Sequence, residues 1–215
     1  MSSSETTEAA PTVDAARDSF VADIKSRLGA AVLDTHVKPG DDIWIRLAAD
    51  SWADSIRALR DDLGLDYFEF LSAIDWMPSP FGKGEEDPTA EPEAKDTTVR
   101  QGYAGGNTRF QVLMRLESMR GKPGVNLKVD IDESMSLQSI ASIFAGANWH
   151  ERETAEMFGI NFAGHPDLRN MYLPSGFEGH PLRKDFPLLA RVIKPWPGIV
   201  DVEPLPGGDE EGGDE

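Results

Sequence analysis

Apolar residues recur at helical spacing in two stretches near the start of the chain. Between residues 12 and 28 they come every three or four positions, which predicts a helix with one buried side that ends at Gly29. The same spacing returns in residues 52–63, directly after Ser51, a residue type that favours the N-cap position. We therefore expect two amphipathic helices, each packing one apolar side on a core.

Short apolar or alternating segments follow each of these helices. Their β-branched and aromatic residues, with turn residues between them, are typical of strands. The clearest hairpin joins the last two predicted strands through the turn at 121–124. A further short helix is expected at 137–144, capped by Ser136. The predicted strands are 31–33, 43–47, 67–76, 109–116 and 125–131.

The order of these elements predicts an α+β fold with a mixed β-sheet and helices packed on it, over residues 12–158. Residues 78–107 interrupt it with prolines, a cluster of acids and paired glycines, so we expect a mobile insertion there. Prolines without periodicity predict an extended Pro-rich C-terminal tail over 159–200 that lies along a partner. Both ends are expected to be disordered, namely residues 1–11 and the acidic residues 201–215.

Composition narrows the functions open to the chain. It contains no cysteine, which excludes disulfides, thiolate zinc sites and the common iron–sulfur ligand sets. The net charge of −17 argues against nucleic-acid binding, which needs a basic surface. No window approaches the roughly 18 apolar residues of a membrane span, and the first residues lack the pattern of a signal peptide. We therefore expect a cytoplasmic protein without a membrane span of its own, and such a protein can still belong to a membrane-bound complex.

Charged residues concentrate in one short predicted helix. Asn148 followed by Glu151 makes a variant of the capping box, which predicts a helix that begins at Asn148 and ends at Gly159. In that helix Glu151, Arg152 and Glu153 would lie in the first turn, at the positive end of the helix dipole. Composition alone favours a solvated, well-capped face.

Two blocks with fixed spacing change that interpretation. The first contains Glu151-Arg152-Glu153, Glu156, Met157-Phe158, His165 and Arg169, and the second is Glu178-Gly179-His180-Pro181-Leu182-Arg183-Lys184-Asp185-Phe186-Pro187-Leu188. Together they resemble the signature of the 30-kDa subunit, or C subunit, of respiratory complex I (NADH–quinone oxidoreductase) in its bacterial form. The resemblance extends loosely over residues 13–190 and tightly over residues 146–188.

The resemblance implies a function for the chain. In that family the enzyme passes electrons from NADH through FMN and iron–sulfur clusters to a membrane quinone and translocates protons. The 30-kDa subunit is a non-catalytic structural subunit of the peripheral arm, on the cytoplasmic side of the cell membrane. The resemblance implies a hetero-oligomer with the quinone-proximal D subunit and the cluster-bearing B subunit as neighbours. FMN, the clusters and quinone are expected in partner subunits, with no cofactor in this chain.

The signature residues are interpreted as positioning and subunit-interface residues, and none is assigned to catalysis, cofactor binding or metal binding. The candidates are Glu151, Arg152, Glu153, Glu156, His165, Arg169, His180, Arg183, Lys184 and Asp185.

Two alternatives stay open. Homologous subunits occur in membrane-bound hydrogenases and in related complexes with another electron donor, and this chain would not touch the donor. A free-standing metal-dependent hydrolase would use His150, Glu153 and His165. The pair His150-Glu151 lacks the second histidine four residues on that a zincin helix requires.

Overall fold

The computed structural model describes residues 14–78 and 98–187. Its large sheet has five strands: β1 Val32–His36, β2 Ile43–Leu47, β3 Tyr67–Asp75, β4 Phe110–Glu117 and β5 Val125–Ile131. They lie in the order β1-β2-β5-β4-β3. The central pair β2–β5 is parallel and the other neighbours are antiparallel. The predicted mixed sheet is therefore confirmed.

Three helices complete the α+β fold: α1 Ala15–Leu28, α2 Trp52–Asp61 and α3 Ala147–Phe158. A second, two-stranded parallel sheet pairs β6 Ser136–Gln138 with β7 Asn161–Ala163. Buried side chains of all three helices join those of the large sheet in one hydrophobic core. Among the described residues, no helix is both long and apolar enough to cross a membrane.

The two faces of the large sheet differ in polarity. In β2, Ile43, Ile45 and Leu47 are completely buried, whereas Trp44 and Arg46 between them are half-buried. Because successive side chains of a strand point to opposite faces, one face of β2 belongs to the core. In β4 and β5 the polar residues Gln111, Lys128 and Asp130 lie on the opposite face from the buried apolar ones. The sheet therefore has an apolar face under the helices and a more polar far face.

The short helix predicted at 137–144 is wrong. Residues Ser136–Gln138 form β6 instead, and a hydrogen-bonded turn follows, with the N–H groups of Ile143 and Phe144 both donating to Ile140 O. The buried residues Leu137, Ile140 and Phe144 have helical spacing, but pairing with β7 overrides it. That pairing joins segments about 25 residues apart, which local periodicity cannot reveal.

The predicted capping box is also wrong. The helix α3 begins at Ala147, its N-cap residue is Gly146, and Asn148 lies inside it. The N–H of Asn148 donates to Ala145 O. In α2, Ser51 does occupy the N-cap position, but its Oγ donates to Ala48 O at 3.2 Å instead of accepting a helix N–H.

Several sequence predictions fall partly or wholly outside the described residues. The predicted disordered ends, 1–11 and 201–215, lie outside them. Of the predicted insertion, residues 98–107 are described, and Tyr103 and Ala104 contact the far face of the large sheet. Of the predicted tail, residues 159–187 are described, and they pack on α3 of the same chain.

Candidate functional site

After β7 the chain runs beside α3 from the start of the helix to its end. We call residues 165–187 the strap. His165 bonds to the carbonyl of Asn148 at 3.1 Å, and the Arg152 guanidinium donates to the carbonyl of Arg169 at 2.9 Å. The strap therefore follows the helix in the same direction, and the two blocks of the signature face each other within one chain.

The start of the strap is fixed by a buried histidine. The side chain of His165 is completely buried, and its Nδ1 accepts the N–H of Asp167 at 2.9 Å. Since Nδ1 accepts, the ring proton is on Nε2, which donates to Asn148 O. The imidazole is therefore held in one neutral tautomer by backbone partners.

Glu151 anchors a neighbouring turn to α3. Its side chain is completely buried, and its carboxylate accepts Ser139 Oγ–H and the N–H of Ile140, both at 2.6 Å. Burial raises the pKa of Glu151, because the loss of water outweighs the two hydrogen bonds that its carboxylate accepts. Glu151 is therefore buried inside the chain and is not part of the solvated face that composition alone favoured.

Glu156 holds the middle of the strap. Its carboxylate accepts three successive backbone N–H groups, those of Met171 at 2.9 Å, Tyr172 at 3.1 Å and Leu173 at 2.6 Å. Burial alone would raise the pKa of Glu156, but these hydrogen bonds and the charge of Arg152 outweigh it and lower the pKa. A charged carboxylate therefore organises this part of the strap.

The strap also completes the C-terminal end of α3, where helix carbonyls have no partner within the helix. Carbonyls of residues 155–158 each receive a donor from beyond the helix. Gly159 N donates to the carbonyl of residue 155 at 2.9 Å, and His180 Nδ1 donates to that of residue 156 at 2.8 Å. Leu182 N donates to the carbonyl of residue 157 at 3.2 Å, and Arg183 Nε donates to that of residue 158 at 2.6 Å. Gly159 has a φ of +75°, and a Cβ there would overlap the side chains of His180 and Arg183, so glycine is needed for this closure.

The end of the strap is fastened to the large sheet by a cluster that we call the latch, made of Asp75, Arg109 and Asp185. Arg109 donates to Asp75 through Nε at 2.8 Å and Nη2 at 2.6 Å, and it pairs with Asp185 at 3.0 Å. Asp75 also accepts the N–H of Lys184 at 2.9 Å and of Met77 at 3.0 Å. Burial would raise the pKa of Asp75, but the Arg109 bond and these N–H groups outweigh it and lower the pKa.

Other signature residues remain accessible to a partner. The Arg169 side chain is 78% exposed and pairs with Asp167 at 2.8 Å, and the Lys184 residue is exposed. Exposed apolar side chains accompany them: Trp149 is 68% exposed, Tyr172 61% and Leu182 50%. The strap and α3 thus combine buried anchors with exposed aromatic, apolar and cationic side chains.

The clustered histidines are occupied by backbone groups. His150 Nδ1 lies 3.1 Å from Leu71 O, while His165 and His180 bond as described above. Within residues 14–78 and 98–187, no group of three potential ligand side chains could hold a metal ion. The proposed trio of His150, Glu153 and His165 is therefore not assembled into a metal site.

Sequence reasoning selected the strap residues but missed two partners of the strap. Asp75 and Arg109 lie 34 residues apart in the chain, at the end of one strand and just before the next. An acid and a base in those positions are a weak signal on their own. The signal becomes useful only when the antiparallel pairing of β3 with β4 places Asp75 opposite Phe110.

The lowered pKa values of Glu156 and Asp75 predict that acid releases the strap before it unfolds the core. A carboxyl group whose pKa is lowered by folding stabilises the fold fully at a pH above its pKa in the unfolded chain. That stabilisation is lost as the pH falls through its pKa in the folded protein. We expect the loss to begin below about pH 4. Glu151 has a raised pKa, so its protonation on acidification favours the folded state instead.

Limited proteolysis against pH, with near-ultraviolet circular dichroism in parallel, would check this order of events. Cleavage within residues 165–187 should appear at a higher pH than the loss of the core signal. Simultaneous loss of both signals would contradict the separate release of the strap.

Comparison with known proteins gives the same assignment as the signature. The sequence profile of the family described as "Respiratory-chain NADH dehydrogenase, 30 Kd subunit" matches residues 45–192. A protein from Roseiflexus sp. (strain RS-1), named as the C subunit of NADH-quinone oxidoreductase, is 34% identical over 178 residues, which are 80% of this chain and 87% of that protein.

Other relatives match a shorter region. The protein of the same name from Methylobacterium sp. (strain 4-46) is 50% identical over 90 residues. That match covers 42% of this chain and 42% of the relative, so the chain spans about two fifths of the length of such relatives.

A solved structure has the same fold. It is described as the membrane-bound sulfane sulfur reductase, an archaeal respiratory membrane complex, and one of its chains matches with a TM-score of 0.59 and 17% identity. The match covers 80% of this chain and 86% of that chain, which supports the fold alone. Because the family profile matches more than half of the sequence, this chain belongs to the 30-kDa subunit family of the respiratory-chain NADH dehydrogenase.

Proposed function

We propose that the chain is a non-catalytic structural subunit of the peripheral arm of a proton-translocating NADH–quinone oxidoreductase. Family membership supports the proposal, and so do relatives named as the C subunit of that enzyme. In this proposal FMN, iron–sulfur clusters and quinone are bound by the partner subunits. The chain would belong to a hetero-oligomer on the cytoplasmic side of the cell membrane, peripheral to the bilayer.

The observation that carries a structural role is the use of charged signature residues to build a surface. Glu156 gathers three N–H groups of the strap, and Arg183 closes the last turn of α3. These are positioning contacts between α3 and the strap. A side chain fixed in this way loses little conformational freedom on binding, which favours a well-defined interface.

We propose that the ten candidate residues serve the interface in two ways. One group positions the surface from within: Glu151, Arg152, Glu156, His165, His180, Arg183 and Asp185. The other group would meet partners directly: Glu153, Arg169 and Lys184, together with the exposed Tyr172 and Leu182. The quinone-proximal and cluster-bearing subunits are the proposed partners, as the family resemblance implies.

Affinity purification of the full chain from gently solubilised membranes of its own organism would test the function. Recovery of flavin-bearing and cluster-bearing subunits with NADH-dependent quinone reduction is the expected result. Recovery of a nickel–iron hydrogenase instead would assign the chain to a related complex. A chain recovered without any such subunits would contradict both possibilities.

Replacing Arg183 by alanine should weaken assembly while the domain stays folded. The change removes the donor to Phe158 O and the guanidinium that lies 5.3 Å from the centre of the Phe110 ring. We expect a loss of roughly 1–2 kcal/mol in docking free energy. The measurement is the yield of co-purified subunits relative to the native chain.

Arg57→Ala is the matched control, because Arg57 is a half-exposed arginine on α2 that pairs with Asp54 at 3.2 Å, away from the strap. Its yield should equal that of the native chain. Equal yields for both variants would show that Arg183 does not contribute to the interface.

A further inference from the structure

The far face of the large sheet holds a polar cluster that the proposed function does not use. Arg46 on β2 pairs with Asp130 on β5 at 2.9 Å, and Gln111 on β4 donates to the same carboxylate at 2.6 Å. Lys128 on β5 lies beside them and is 1% exposed. Residues 102–106, which we call the lid, lie across this cluster.

Three successive carbonyls of the lid are held by side chains from three different strands. Lys128 Nζ donates to Tyr103 O at 2.8 Å, and Arg46 Nε donates to Ala104 O at 2.9 Å. Gln111 Nε2 donates to Gly105 O at 3.2 Å. Side chains of the sheet therefore hold the lid in place. Within the lid, the N–H of Gly105 donates to Gly102 O at 3.1 Å and closes a turn.

Aromatic rings complete the seat. The Tyr103 ring stacks on His36 with the ring centres 4.3 Å apart, and it lies 5.9 Å from Trp44. The Trp76 indole donates to Gln111 at 2.8 Å and lies 5.5 Å from Lys128 Nζ. Lifting the lid would therefore uncover an aromatic and cationic surface on the far face.

The closed lid has a strained backbone. Ala104 is buried with a φ of +59°, in the left-handed region that residues with a Cβ rarely adopt. Gly105 also has a φ of +59°, and a Cβ at Gly106 would overlap the side chain of Gln111. Strain that persists only because surrounding contacts enforce it is released when those contacts open.

Lys128 is a buried amine with few hydrogen-bond partners under the lid. An ammonium group has three donors, and within the described ranges its Nζ has one acceptor, Tyr103 O. Burial lowers the pKa of Lys128 to about 8, with Arg46 acting in the same direction and Asp130 and Asp34 opposing it.

We propose that residues 102–106 form a lid that opens and closes over the far face of the sheet, with the proton on Lys128 favouring the open state. Losing that proton removes a buried charge from the closed state and leaves the three carbonyl contacts in place. The groups that face Lys128 are Asp34 on β1, Arg46 on β2, Asp130 on β5 and, from the lid, Tyr103.

The sign of the pH dependence follows from proton binding in the two states. The pKa of Lys128 is about 8 under the closed lid and 10.5 for an ordinary lysine. Between these two pH values the open state therefore binds more protons than the closed state. Raising the pH through this window therefore favours closure. The closing equilibrium should rise about twentyfold between about pH 7.5 and about pH 9.5.

A thiol in the lid would measure this equilibrium. Because the chain contains no cysteine, Ala104→Cys in the full chain introduces a single thiol at a buried position. Its rate of maleimide labelling, divided by the rate of a free cysteine peptide at the same pH, reports the open fraction. We expect protection to rise about twentyfold across the window.

Two lysine variants in the same background separate the lid from general effects of pH. Lys128→Met should abolish the rise, whereas Lys122→Met should keep it. Lys122 also donates to a backbone carbonyl, that of Leu63 at 2.5 Å, but it is exposed. Protection that does not change with pH, or an equal rise in the Lys128→Met variant, would overturn the proposal.

Amide hydrogen exchange of residues 102–108 gives the same comparison without the cysteine. The native chain and Lys128→Met are compared at each pH, so the intrinsic exchange rate cancels. A protection ratio that rises with pH supports the lid, and a constant ratio overturns it.

Discussion

Replacing Glu156 by glutamine is expected to free the middle of the strap from α3. The carboxylate accepts three N–H groups, and a neutral amide with one oxygen and its own N–H₂ donors cannot replace it. Hydrogen bonds to charged groups contribute more to stability than bonds between neutral groups. We therefore expect the free energy that holds the strap on α3 to fall by about 2–4 kcal/mol. Amide exchange at Met171, Tyr172 and Leu173 should accelerate by roughly 30-fold or more.

Glu153→Gln is the matched control for this experiment. Glu153 lies three residues earlier on α3, and the structure shows no side-chain partner for it among the described residues. Its removal should leave the three amides protected. If Glu156→Gln also left them protected, the strap would not depend on the carboxylate, and its position would have to come from the capping contacts alone.

Replacing Asp75 by asparagine should open the latch. Asp75 is the buried member of the cluster, with its side chain 1% exposed, and it binds Arg109 through two nitrogens as well as two backbone N–H groups. Breaking a buried ion pair by removing one partner is strongly destabilising. Arg109 is partly exposed and can be rehydrated, so we expect a loss of about 2–3 kcal/mol in the free energy of unfolding.

Asp185→Asn tests the other carboxylate that contacts the same arginine. Its side chain is 48% exposed, and exposed ion pairs contribute less than about 1 kcal/mol. Urea unfolding should therefore show a larger loss in the free energy of unfolding for Asp75→Asn than for Asp185→Asn. Equal losses would mean that burial of Asp75 does not set the strength of the latch.

The elements with strong local patterns were predictable. The bounds of β2 and β5 agree with the predicted 43–47 and 125–131 because apolar residues occupy every second position over the whole length of each strand. The end of α3 at Gly159 was also predictable, since glycine readily adopts the left-handed conformation at that position.

Elements that depend on distant pairing were not predictable. Residues 136–138 form a strand only because β7 lies beside them, and the carboxylate of Glu151 takes the N–H of Ile140 that a helix would have used. The helical spacing at 137–144 reflects burial around a turn. Local periodicity cannot distinguish a short helix from a buried strand followed by a turn.

The candidate site was predictable in its residues but not in their roles. Charged residues such as Glu151 and Glu156 suggested a solvated face or a partner surface, because acids are seldom buried. In the structure they are buried acceptors for backbone N–H groups of other segments. Sequence spacing identifies such residues, but only the path of the strap shows which way they face.

The closure of α3 by the strap has a consequence for synthesis on the ribosome. The helix is only 12 residues long, and helices of that length are marginal by themselves. Of the four donors that close its last turn, three belong to residues 180–183, which are translated more than 20 residues after Phe158. The nascent helix therefore leaves the ribosome unfinished, and the surface proposed to meet other subunits is assembled among the last parts of the domain.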